Sequence, residues 1–96
     1  MKRSETVQIG EVLEEFFKRP YVAAKVAEGR LPDTWREVVG ERVASLTSSL
    51  KFENRILYAC ITSSVVRYEL FCRRDALRDE INRISGLPLV KAVIIK

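Results

Sequence analysis

The chain has 96 residues, 47% of them apolar, and a formal net charge of +4. That suits one small domain over residues 1–96 with a real core. It leaves no room for a membrane span, because the longest clean apolar run, Ile56 to Ile61, falls far short of the roughly 18 to 20 residues required.

Met1 to Thr6 is positively charged but leads into no apolar region, so no signal peptide is expected. Ile9, Val12, Leu13, Phe16 and Phe17 follow the i, i+3, i+4, i+7, i+8 pattern and predict an amphipathic helix over residues 5 to 19. Glu11, Glu14 and Glu15 give it an acidic outer face, and Pro20 stops it. A short helix is expected from Tyr21 to Glu28, with Gly29 as the residue after its end. Thr34 and Glu37 have capping-box spacing for a third helix running to about Ser45. Trp35, Val39, Val43 and Leu46 recur along it, which places the indole in the core. Gly40 falls inside that pattern and suggests a close backbone contact.

Leu50 and Phe52 alternate with Ser49, Lys51 and Glu53, the mark of a half-buried strand. Asn54 turns the chain into a second strand over 55 to 62, apolar on both faces and therefore central. Thr62, Ser63 and Ser64 supply the cap of a long helix ending near Ser85, with Gly86 beyond it. A last strand is expected from Leu89 to Ile95. The order α-α-α-β-β-α-β predicts an α+β fold, with helices packed on a three-stranded mixed sheet.

Catalysis finds little support, and no enzyme is expected. There is no histidine to carry protons near neutral pH, no glycine-rich phosphate loop and no visible base beside either cysteine. Nothing points to a small-molecule substrate. Cys60 and Cys72 lack metal-ligand spacing, so neither metal nor cofactor is expected. Two free thiols fit a reducing, cytoplasmic setting, with Cys60 expected to point into the sheet or core and Cys72 outward.

The long helix carries the binding signal. Val66, Leu70, Leu77, Ile81 and Ile84 form one apolar stripe, and Glu69–Arg73 and Asp79–Arg83 are spaced as i,i+4 ion pairs. Arg67 and Arg74 have no acidic neighbour three or four residues away, and Arg78 has only Asp75. Arg67, Phe71, Arg74 and Arg78 therefore form a flank with an aromatic between cations. Either it binds phosphates while Phe71 stacks on a base, or the arginines snorkel over a Phe71 that closes the core edge. At the helix start, the hydroxyls of Thr62, Ser63 and Ser64 meet Arg67 and the positive end of the dipole. They can hold an anion or simply cap the helix.

Several of these blocks resemble the DciA family of bacterial replication proteins: Trp35-Arg36-Glu37-Val38-Val39-Gly40, Ile56-Leu57-Tyr58-Ala59, and Ser63-Ser64 leading to Tyr68-Glu69-Leu70. Ile81-Asn82 before Gly86 and the Val90 to Ile95 strand match as well. The likeness runs over nearly the whole chain. It implies a KH-like domain similar to the N-terminal domain of the initiator DnaA. It also implies an accessory role in DNA replication, with weak, salt-dependent binding of DNA or RNA and recruitment or loading of the replicative helicase. The acidic residues Glu11, Glu14 and Glu15 are then the expected protein contact. A protein-interaction module without nucleic-acid contact is the alternative.

The chain departs from the pattern in three places. Gly40-Glu41-Arg42-Val43 is not the GxxG loop of RNA-gripping KH domains. The cysteine pairs of a zinc ribbon are missing. The basic extension of some relatives is not seen before Lys96, so contacts are expected from the folded domain.

Overall fold

The computed structural model describes residues 19–96. The amphipathic helix expected over residues 5 to 19 and its acidic residues Glu11, Glu14 and Glu15 fall outside that range, apart from Arg19. Five helices pack on one side of a three-stranded mixed sheet: α1 (Pro20–Gly29), α2 (Leu31–Val39), α3 (Glu41–Ser45), β1 (Thr47–Glu53), β2 (Ile56–Ile61), α4 (Ser64–Cys72), α5 (Arg74–Ser85) and β3 (Ala92–Ile95). The α+β class and the order of elements follow the expectation, with two expected helices each divided in two.

The first division is at Gly40, whose φ of 91° and ψ of 161° lie where glycine alone is comfortable. A Cβ there would meet nothing within 4 Å, so backbone conformation, not a close contact, is the reason for glycine. The second is at Arg73, where φ −110° and ψ 17° break the helical run while the Arg73 N–H still bonds to Leu70 O at 3.0 Å. The bend keeps Val66 and Leu70 of α4 in the same core as Leu77 and Ile81 of α5. The apolar stripe is therefore real, although the helix beneath it is not continuous.

The expected capping box is also corrected. Helix α2 starts at Leu31 with Arg30 as its N-cap, four residues early. Thr34 is already inside it, buried, with its N–H bonded to Arg30 O at 2.9 Å. Gly29 ends α1 within the helix, and Arg30 is its C-cap.

Strand β2 is central, antiparallel to β1 and parallel to β3. The β1–β2 turn has positive φ at both Asn54 (54°) and Arg55 (64°), the geometry of a two-residue hairpin loop whose twist matches the strands. Leu57, Ala59 and Ile61 point under the helices and are buried; Ile56, Tyr58 and Cys60 share the opposite, open face. Cys60 therefore does not point into the core, as expected from the apolar run; among the described residues only one face of β2 is covered. The last strand is shorter than expected because Leu89 and Val90 are core residues outside the ladder. The Asn82 amide replaces the ladder there. Its Nδ2 donates to Val90 O and its Oδ1 accepts from Val90 N–H, both at 2.8 Å.

Candidate nucleic-acid interface

Helix α4 is set by its cap and its inner face. The Ser63 hydroxyl accepts from the Val66 N–H at 3.3 Å, and Val66 and Leu70 are buried. With those two inward, helical geometry sends Val65, Tyr68, Phe71 and Cys72 outward. Val65 is 69% exposed, Tyr68 70% and Phe71 47%, a run of large apolar groups facing water on a small domain.

The arginines of the expected strip have separate fates. Arg67 is half-buried and turns back to the sheet, with Nη2 donating to Ile61 O at 2.8 Å and its buried Nε unpaired. Arg74 lies over the Phe71 ring at 4.2 Å from the centroid and donates to Phe71 O at 2.8 Å, capping the end of α4. Arg78 is flanked by Asp79 at 3.0 Å and Asp75 at 3.7 Å, which offset its charge. Arg83 pairs with Glu80 and not with Asp79, and this contact holds the Glu80 carboxyl below its usual range. The expected Glu69–Arg73 bridge does not form, so Arg73 has no ion pair among the described residues.

The hydroxyls at the helix start are partly committed. Ser63 is occupied by its cap, Thr62 Oγ1 donates to Leu46 O at 3.1 Å, and Ser64 is the exposed first residue of the helix. The structure thus gathers Phe71 and Arg74, ties Arg67 back to the sheet and flanks Arg78 with two aspartates.

Sequence reasoning missed Val65, Tyr68 and Arg73. The first two recur at i, i+3 with Phe71 on the side away from the stripe, a signal that was present. Arg73 could not be found, since the joint it occupies has no glycine or proline to mark it.

Tyr68 is held above the usual phenol range, chiefly by the interaction of its hydroxyl with the Cys72 thiol. It therefore presents a neutral ring at physiological pH. Two aromatic faces beside Arg73 and Arg74 suit unpaired bases and their phosphates. No group of three or more metal-ligating side chains exists among the described residues, and no helix there is long and apolar enough to cross a membrane.

A family model described as Dna[CI] antecedent, DciA, matches residues 8–95. No curated protein and no solved structure matches the chain.

Proposed function

The chain belongs to the DciA family of replication accessory proteins associated with the replicative helicase, and from that premise we propose that it holds single-stranded nucleic acid on the outer face of α4 while it engages the helicase elsewhere. The observation that carries the reading is the Tyr68–Phe71 pair of exposed rings, with Arg74 stacked on one of them and Arg73 at the adjoining joint. Stacking tolerates any base, and the cations supply the salt-dependent term. Arg74 is the principal phosphate contact, and Ser64 offers its hydroxyl at the opposite end of α4. Arg67 acts by fixing α4 to the end of β2, Ser63 by capping it, and Arg78 contributes a charge shared with two carboxylates.

Fluorescence anisotropy with a labelled 15-nucleotide oligo(dT) at several salt concentrations tests this. Removing Arg74 should flatten the log–log salt slope by about 0.7, the value of one single-strand phosphate contact. Unchanged affinity and slope in a Tyr68→Ala/Phe71→Ala/Arg74→Ala variant overturns the reading.

The helicase contact is assigned to Glu11, Glu14 and Glu15, which would repel DNA. Reversing all three to Lys should weaken helicase co-purification more than oligonucleotide binding. The pairing of Arg78 with two aspartates favours the second reading, a protein-interaction module. Helicase retention together with no measurable oligonucleotide binding would establish it.

A further inference from the structure

The open face of the sheet carries a second set of groups that the α4 reading does not use. Tyr58 sits at its centre, with Lys51 as its cross-strand partner on β1 and Ile94 on β3. Lys96 Nζ lies 5.2 Å from the Tyr58 ring centroid. A shallow cavity of about 280 Å³ opens beside the ring, lined by Ser49, Lys51, Glu53, Cys60 and Lys96. The five helices of the described residues lie on the other side of the sheet, and Ile94 remains 39% exposed. The β2–β3 pair is parallel and apolar on both faces, a pattern that normally belongs to strands covered on both sides.

The geometry points to this face as a binding platform for one unstacked base of a single strand, seated on Tyr58 with its phosphates at Lys51 and Lys96. The occupant follows from shape and charge. A sheet face with an aromatic at its centre accepts a planar ring, as sheet-based single-strand binders do. Two ammonium groups against the one carboxylate of Glu53 favour an anion, and that carboxylate, 3.9 Å from Lys51, can accept a hydrogen bond from a base N–H, such as N3–H of thymine. An acidic protein segment would satisfy the lysines but would leave the ring and its cavity without a planar partner. The inference takes its ligand class from the nucleic-acid reading above and rests on none of the α4 residues. Cys60 lies three residues before the α4 cap Ser63, so a strand leaving the platform at that end reaches the start of α4.

Titration of the isotope-labelled full chain with a 12-nucleotide oligo(dT), followed by amide and aromatic NMR shifts, tests the platform. Tyr58, Cys60, Ile94 and Lys96 should move. Tyr58→Leu should weaken anisotropy-measured binding about fivefold or more, the low end of one base–aromatic stack. Tyr58→Phe, which keeps the ring, should bind more tightly than Tyr58→Leu. Lys96→Glu, an exposed change that leaves the core intact, should also weaken binding. Shifts confined to α4, with Tyr58→Leu and Lys96→Glu binding as the unaltered chain does, overturn the platform and leave the α4 reading standing. Shifts along the sheet row that persist in Phe71→Ala/Arg74→Ala support the platform even if the α4 reading fails. Stronger shifts from a poly-glutamate peptide than from oligo(dT) would assign the face to an acidic protein and overturn the proposal.

Discussion

The indole N–H of Trp35 donates to Thr47 Oγ1 at 3.0 Å, and that hydroxyl donates in turn to Val43 O at 3.0 Å. One threonine thus joins α2, the end of α3 and the first residue of β1 across the break at Gly40. Trp35 is 2% exposed, so its polar atom needs this partner. Thr47→Val should cost about 1 to 3 kcal/mol by leaving the N–H unpaired, and Trp35→Ala about 3 to 5 kcal/mol. Urea unfolding followed by far-UV circular dichroism measures both. A Thr47→Val variant as stable as the unaltered chain would mean that the bond is not needed.

Arg55 is a second tie. Its backbone is in the left-handed region, its Nη2 donates to Pro88 O at 2.7 Å, and its carbonyl accepts from Lys91 N–H at 2.8 Å. Side-chain bonds to the approach of β3 offset the backbone strain. Arg55→Gly should relieve the strain and lose the tie, whereas Arg55→Ala loses the tie and keeps the strain. Arg55→Ala should therefore be the less stable of the two by about 1 kcal/mol. Thermal unfolding in which the two variants rank in the opposite order contradicts this account.

Asn82 replaces a missing rung of the sheet by bonding both polar groups of the buried Val90 backbone. Asn82→Leu should cost about 2 to 4 kcal/mol, since two buried groups lose their partners. Asn82→Asp sets a carboxylate against the Val90 carbonyl, which raises its pKa in the folded state above the unfolded value. The folded state then binds a proton more tightly, so stability relative to the unaltered chain is regained as pH falls through the raised value and lost as it rises. Chemical denaturation at pH 7 and pH 4 should show the deficit shrinking in acid; a constant deficit would exclude the carboxyl–carbonyl conflict.

Tyr68 holds its proton above the usual phenol range because of Cys72. Cys72→Ala should lower that titration towards 10. Absorbance at 295 nm follows it, with Tyr68→Phe subtracted to remove Tyr21 and Tyr58. No change would show that the thiol does not act on the phenol.

Much of the fold could be read directly, because its periodicities are strong. The strand alternation of Leu50 and Phe52, the stripe from Val66 to Ile81, the core position of Trp35 and the Ser63 cap all hold. The helix break at Arg73 could not be read, since no residue type there disfavours a helix and the bend is imposed by packing. Gly40 was visible as an oddity, but its positive φ was not. The candidate site was half legible: Phe71 and Arg74 do come together, while Arg67 and Arg78 find partners that spacing rules do not foresee, a strand-end carbonyl and the adjacent Asp79. The open sheet face escaped because a strand apolar on both sides reads as central and covered whether or not its cover belongs to the same domain.

Strand β3 is made last, and until it arrives β2 has one bare edge and an apolar outer face. Such a half-built sheet is the species that sticks to its own kind during folding. The tetrapeptide Ala92–Ile95 that closes it is itself prone to mispairing, being uncharged and β-branched at Val93, Ile94 and Ile95. It is bracketed by Lys91 and Lys96, one charge on each side. These lysines act as gatekeepers: each end of any stacked β3 array would set like charges at the strand spacing of about 4.8 Å. The residue that serves the Tyr58 platform in the folded protein thus also guards the chain against aggregation before it has folded.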